Sequence, residues 1–255
     1  CINEAFRWDG YFIKTNSREC SDMFEAEKLG LLTLFRTMTV RVPQTVCSGT
    51  TSDRSFLILE LLPLGSPDES SQANLGRQLA ALHRSTGPDF GWIRDNYLGT
   101  TNQPNTATES WIDFLREYRL GYMLRLAANY GFSFRGADTL LNNLDSFFEE
   151  MPLPSLLHGD LWGGNASVLA DGTPTIFDPA VYFGDRECDL AMTRLFGGFD
   201  AAFYRAYEEK WPLSPGNERR TDLYNLYHIL NHSILFGGSY ARQAQTMIDT
   251  LLLSL

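Results

Sequence analysis

Leu157-His158-Gly159-Asp160-Leu161-Trp162-Gly163-Gly164-Asn165, followed by Ile176-Phe177-Asp178-Pro179-Ala180, is the stretch on which the reading of this 255-residue chain turns. It sets His158, Asp160 and Asn165 at relative positions 1, 3 and 8 after a short apolar strand. Asp178 closes the next strand. An isolated His-x-Asp says little, because such residues commonly cap helices or solvate turns. The combined spacing is specific, and it matches the logic of phosphoryl transfer. In that logic the first Asp takes or orients the proton of an acceptor hydroxyl. The Asn oxygen and the second Asp hold Mg²⁺, which bridges the phosphates of a nucleotide. A metal hydrolase using the same polar set would want more ligands. Of the four histidines, His83, His228 and His232 fall on apolar helical stretches and read as core or helix-face residues.

Upstream, the chain has three lysines, Lys14, Lys28 and Lys210. Lys14 lies in Tyr11-Phe12-Ile13-Lys14-Thr15-Asn16, alternating with aromatic and aliphatic neighbours, where an inward ammonium needs an anion. A solvated lysine at a sheet edge is the plain alternative. In a kinase the anion is the phosphate pair of the nucleotide, and a helix Glu steadies the ammonium. Glu25 and Glu27 on the following helix are the candidates. Glu60, before Pro63, falls where a hinge would offer backbone groups to adenine.

The organisation around these residues is sheet first, helix afterwards. Runs at 5–8 and 11–15 flank Asp9-Gly10, a strong hairpin signal. A helix pattern starts at Ser21 and ends near Thr37. Residues 40–46 are irregular, with Pro43 limiting them to an edge. The near-continuous apolar run 56–62 predicts a strand buried on both faces. Pro63-Leu64-Gly65-Ser66-Pro67 then gives the internal boundary, dividing the chain into residues 1–62 and 63–255. Helices are predicted over 72–84, with Leu75, Leu79 and Leu82 on one face, over 110–130 and over 137–149. Short strands at 156–157 and 175–177 frame the polar loop, and helix resumes from Asp189. The fold class is α+β, a small β-rich lobe followed by a larger, mainly helical one.

Hydrophobic residues make up 44% and charged residues 20%, an ordinary globular balance. A formal net charge of −10 repels phosphate backbones, so nucleic acid is excluded as a general partner. No apolar run approaches a membrane span. Four cysteines without metal-ligand spacing point to a reducing, intracellular compartment, cytoplasm or organellar stroma. Because the chain begins at Cys1, without Met, and soon enters a strand-like run, it reads as lacking its original N-terminus.

The segments HGDLWGGN (158–165), IFDPAVYFGDRECDLAM (176–192), FIKTN (12–16), FEAE (24–27) and NQPNT (102–106) together resemble the fructosamine kinase, or ketosamine 3-kinase, family. The resemblance runs from Cys1 to Gly238, and Trp162 distinguishes the loop from those of antibiotic and choline kinases. It implies a bilobal protein-kinase-like fold. ATP and Mg²⁺ would be used to phosphorylate the 3-hydroxyl of ketosamines, free or on glycated protein lysines. Residue by residue it implies Asp160 as catalytic base and Asn165 and Asp178 as Mg²⁺ ligands. Lys14 would hold the nucleotide phosphates with Glu27 as its partner, and Glu60, Leu61 and Leu62 would form the adenine hinge. Trp162 would be a platform for the acceptor, with a core-filling aromatic as the alternative. Asp185, Glu187 and Asp189 would brace the metal loop. The family's glycine-rich hairpin would end at the start of this chain, leaving the nucleotide-binding lobe incomplete. Cys1 would then sit in that hairpin as a redox switch, making the protein a monomer or a redox-linked homodimer. Two rival readings stand beside this one. The first is a kinase of the same fold acting on an aminoglycoside or amino alcohol; the second is a non-catalytic nucleotide-binding module.

Overall fold

In the computed structural model, which describes residues 3–255, Asp9 and Gly10 both take positive φ, 45° and 81°. That geometry makes a two-residue turn whose twist suits the strands it joins. It closes β1 (Glu4–Trp8) onto β2 (Tyr11–Ser17) with Trp8 opposite Tyr11. Helix α1 (Ser21–Arg36) follows, then β3 (Thr45–Thr50) and β4 (Arg54–Glu60). The four strands form one antiparallel sheet in the order β1-β2-β4-β3. Residues opposite one another in such a ladder point to the same face, so Lys14 stands beside Leu57, and Phe12 beside Leu59.

The expectation of a strand buried on both faces is corrected here. Burial alternates along β4: Ser55, Leu57 and Leu59 are enclosed, while Phe56, Ile58 and Glu60 are partly covered. The reason is that α1 packs against β3 and β4 from one side. Strand β3 is an edge, as Pro43 required, and its register shifts between Thr45 and Cys47, which leaves Val46 exposed.

The remaining chain is dominated by helices. Asp68 and Ser71 exchange side-chain and backbone hydrogen bonds and so start α2 (Glu69–His83). Leu75, Leu79 and Leu82 are buried on it, as their spacing predicts. A small hairpin, β5 (Asn96–Leu98) and β6 (Thr101–Gln103), precedes a helical run made of α3 (Trp111–Phe114), a π turn (Leu115–Leu120) and α4 (Gly121–Asn129). The predicted helix over 137–149 is shorter: α5 (Ala137–Asn142) gives way to a 3₁₀ turn, Leu144–Phe147. Four short strands carry the polar loops: β7 (Ser155–Leu157), β8 (Ala166–Val168), β9 (Pro174–Ile176) and β10 (Tyr182–Gly184). β7 pairs with β10, and β8 with β9. Then come α6 (Glu187–Leu195), α7 (Ala201–Lys210), α8 (Asn217–Phe236) and α9 (Ser239–Leu253). No helix of the described residues is long and apolar enough to cross a membrane.

Helix α8 is enclosed almost all round, with Leu223, Tyr224, Leu226, Tyr227, Ile229 and Leu230 in the core. Its first turn is held by Arg220, which grips both oxygens of Glu187 at 2.7 and 2.9 Å and also donates to Phe147 O and Pro215 O. Removing one member of a buried ion pair strands the other. Arg220→Met is therefore expected to lower stability by about 3–5 kcal/mol, read as a fall in the urea midpoint at unchanged m.

Candidate active site

Lys14 is 5% exposed, and its ammonium contacts two carboxylates, Glu27 Oε1 at 2.6 Å and Asp178 Oδ1 at 2.5 Å. Burial alone would discharge it, but the attraction of Glu27 and Asp178 outweighs burial and holds its pKa above the ordinary lysine value. Burial pushes Glu27 up, against the pull of Lys14. Glu25, the other candidate partner, faces away, bonding Lys28 and Ser48. One ammonium thus joins β2, α1 and the turn after β9.

Asp178 reaches Lys14 from a left-handed backbone conformation, φ 58°, which costs a non-glycine residue about 1–2 kcal/mol. The strand before it is fixed by Phe177 N–H donating to Asn165 O at 3.0 Å. Asn165 Nδ2 donates back to Asp160, at 2.9 Å to the carbonyl and 3.3 Å to Oδ2. Its Oδ1 is therefore directed away from Asp160, and Asp178 Oδ2 also lacks a donor among the described residues. Two hard oxygens at adjacent strand ends suit a divalent cation that keeps waters and phosphate oxygens as its other ligands. Asp160 is half-buried. Its burial, reinforced by the negative charges of Asp178 and Asp189, raises its pKa to about 7 against the stabilising bond from Asn165.

The loop is clamped from behind by Asp189 on α6. Its Oδ2 accepts from His158 N–H at 2.7 Å and its Oδ1 from Gly159 N–H at 2.8 Å. His83 Nε2 lies 3.2 Å from Oδ2, and His83 Nδ1 2.8 Å from the Tyr207 hydroxyl. Burial works against the Asp189 charge, but these donors outweigh it and keep its pKa below the ordinary carboxylate value. The His158 ring completes the clamp by donating from Nε2 to Phe177 O at 3.0 Å, which joins the two loops directly. Ala180 N–H donates to His158 O at 2.9 Å. At Gly159, where φ is 84°, any Cβ would overlap Ala180 O, so glycine is required there. Asp185 and Glu187 belong to the same support, with Asp185 accepting from Tyr224 and Glu187 from Arg220.

Trp162 folds its indole over Gly164, where a Cβ would overlap the ring, and meets Phe196 edge-on with ring centroids 6.2 Å apart. It is 39% exposed, so it is not the core-filling aromatic of the alternative reading. With Asp160, Met192, Phe196, His228 and His232 it bounds a cavity of about 270 Å³. His83 is a core residue, as its helical setting predicts. His228 and His232 border this cavity, which periodicity alone could not reveal.

The three residues expected at a hinge, 60–62, differ in what they offer. The Glu60 carboxylate pairs with Arg41, and its N–H goes to Gln44 O. Leu61 N–H donates to Gly10 O at 3.0 Å. Of the three backbone N–H groups, that of Leu62 has no partner among the described residues. Cys1 lies outside the described residues. Also among the described residues, no three His, Cys, Asp or Glu side chains gather into a metal-holding group.

Comparison with known proteins decides the lineage. The sequence model of the fructosamine kinase family matches residues 1–254. The chain belongs to that family. It is 47% identical to a Synechocystis protein named "Probable ketoamine kinase", over 99% of this chain and 88% of the relative. It is 41% identical to the chloroplastic protein-ribulosamine 3-kinase of Arabidopsis thaliana, over 99% of this chain and 80% of the relative. A crystal structure described as a "Putative fructosamine-3-kinase" from Haemophilus somnus superposes with a TM-score of 0.90 at 33% identity, covering 98% of this chain and 90% of the other. An aminoglycoside phosphotransferase, APH(4)-Ia, shares the fold at a TM-score of 0.64 and 18% identity, covering 98% and 89%. The protein is accordingly an α+β, protein-kinase-like enzyme, a kinase of the ketosamine class with ATP as its phosphoryl donor.

Because the Asp189 carboxylate serves three donors in a closed site, Asp189→Asn is expected to cost on the order of 3 kcal/mol. Thermal melting at pH 7 checks this. The pH dependence has a definite sign. A carboxylate held below its unfolded pKa of about 4 contributes fully above that pH and loses its contribution as pH falls further. The gap between wild type and Asp189→Asn should therefore narrow below about pH 4.

Proposed function

We propose that the chain transfers the γ-phosphoryl group of ATP to the 3-hydroxyl of a ketosamine, free or on a glycated protein lysine. The observation that carries the proposal is the Lys14 ammonium bridging Glu27 and Asp178, with Asp160 at the floor of a cavity wide enough for a sugar. In this reading the acceptor oxygen attacks the γ-phosphorus while the bond to the bridging oxygen of ADP breaks. Asp160 takes the hydroxyl proton, and a carboxylate with a pKa near neutrality suits that task. Lys14 offsets charge on the nucleotide phosphates, and Glu27 keeps the ammonium in position. Asn165 and Asp178 would hold Mg²⁺, which supplies charge neutralisation at the phosphate oxygens when bound. Leu62 N–H would meet adenine at a hinge between residues 1–62 and 63–255, with Glu60 and Leu61 shaping it through their own bonds. Trp162 would stack against the acceptor. The 3-phosphorylated adduct is unstable, so the activity amounts to removing sugar from amines. An aqueous compartment, cytosol or organelle stroma, belongs to the same proposal.

The test is ADP release from Mg·ATP with and without a ribulosamine-modified lysine, beside an aminoglycoside and an amino alcohol. Release should depend on the ketosamine and be absent with the other two. Asp160→Asn should lower kcat by about 10²–10⁴-fold with melting unchanged. Turnover of the aminoglycoside instead, or full activity in Asp160→Asn, would refute the reading. Gly164→Ala displaces the indole and is expected to raise acceptor KM about tenfold while ATP KM stays put, measured by the same assay.

A further inference from the structure

Two histidines that the proposed reaction does not use face the cavity beside Asp160. His228 and His232 stand one turn apart on α8 and share the wall with Phe196 and Phe236. His232 Nδ1 lies 2.8 Å from the His228 carbonyl oxygen. A carbonyl only accepts, so Nδ1 donates in that bond, and the tautomer with its proton on Nδ1 leaves Nε2 as an acceptor. His228 is 5% exposed, and its Nδ1 is enclosed without a hydrogen-bond partner among the described residues. Burial pushes its pKa down to about 3, so the ring is neutral and holds one proton. A proton on the enclosed Nδ1 would have no acceptor; on Nε2, the nitrogen open to the cavity, it can find one. The pair thus offers one donor and one acceptor side by side. Asn231, on the same wall, is committed elsewhere, to Thr101 and Leu98 O. The rest of that wall is largely apolar.

We propose that His228 and His232 read the sugar of the acceptor through the oxygens flanking the 3-hydroxyl, His228 donating to the C2 oxygen, a carbonyl in the open chain and a hydroxyl in the ring form, and His232 accepting from the C4 hydroxyl. A carbonyl or hydroxyl oxygen accepts and a hydroxyl also donates, so these two oxygens complement this pair. An acceptor without them leaves both nitrogens unpaired inside the cavity, which is how a polar site rejects a deoxygenated analogue. The inference rests on the ketosamine reading and extends it to what selects the substrate.

The test compares wild type with His228→Phe, His228→Gln, His232→Phe and His232→Gln. Each is assayed with a ribulosamine-modified lysine and with its 4-deoxy counterpart, alongside ATP KM and melting temperature. The phenylalanine variants should raise acceptor KM about 10–100-fold, with ATP KM unchanged and kcat within about threefold. Wild type should lose a similar factor on the 4-deoxy acceptor, and at least one phenylalanine variant should no longer distinguish the two. Glutamine, which keeps a neutral polar group, should recover part of the loss, and it replaces phenylalanine if that variant fails to fold. Wild-type turnover of ketosamine with no penalty for the 4-deoxy compound, or variants with wild-type acceptor KM, would overturn this inference and leave the function standing. No ketosamine turnover by wild type would overturn both.

Discussion

The Lys14 ammonium is the constraint around which the site is arranged. It reaches from β2 to a carboxylate 13 residues away on α1 and to another 164 residues away after β9. Buried Glu27 and the more exposed Asp178 would repel one another at this range without the cation between them. The sheet and the catalytic loops are therefore held to one another by charge as well as by packing. The arrangement also has a chemical effect at a distance. Asp178, fixed beside Lys14, adds its negative charge to the burial that raises the pKa of Asp160. A contact that looks structural at Lys14 thus bears on the protonation of the residue proposed to receive the acceptor's proton.

Asp189 supplies the complementary anchor on the helical side. It converts a loop that would otherwise present two unsatisfied N–H groups into a fixed turn, and it ties that turn through His83 to Tyr207 on α7. The close approach of Gly159 to Ala180 then seats one loop on the other. Preorganisation of this kind matters because phosphoryl transfer asks little covalent chemistry of a protein and much positioning.

Much of this was legible in the sequence where local chemistry is decisive. Asp9-Gly10 predicted a turn that needs positive φ at two successive residues, and the structure has it. Leu75, Leu79 and Leu82 announced a buried helix face by spacing alone. The grouping of Asp160, Asn165 and Asp178 was read from a spacing that matches the phosphoryl-transfer pattern. What the sequence hid depends on distant partners. Nothing local distinguishes Glu27 from Glu25, and it was the family resemblance that singled out Glu27, the one that meets Lys14. The both-faces burial expected of residues 56–62 failed because apolar content does not tell how many layers cover a strand. Arg41 and Glu60 meet only because a bend brings residues 41 and 60 together, a contact no periodicity encodes.

The hardest element to read was α8, for a physical reason. A helix enclosed on nearly all sides carries no clean polar stripe, so periodicity cannot separate its faces. Its side chains nevertheless divide by role. Tyr227 donates to Gln103 at 2.8 Å, and Gln103 in turn donates to Ala180 O at 3.1 Å, next to the turn that bears Asp178. Tyr224 reaches Asp185. One residue on from Tyr227, about 100° around the axis, His228 faces the cavity beside Asp160, and His232 follows it on the same wall. The helix that bounds this cavity is thus also the one that supports the turn bearing Asp178. A shift of α8 cannot move one without the other. The hydrogen-bonded chain Tyr227–Gln103–Ala180 joins this helix directly to the turn that carries Asp178.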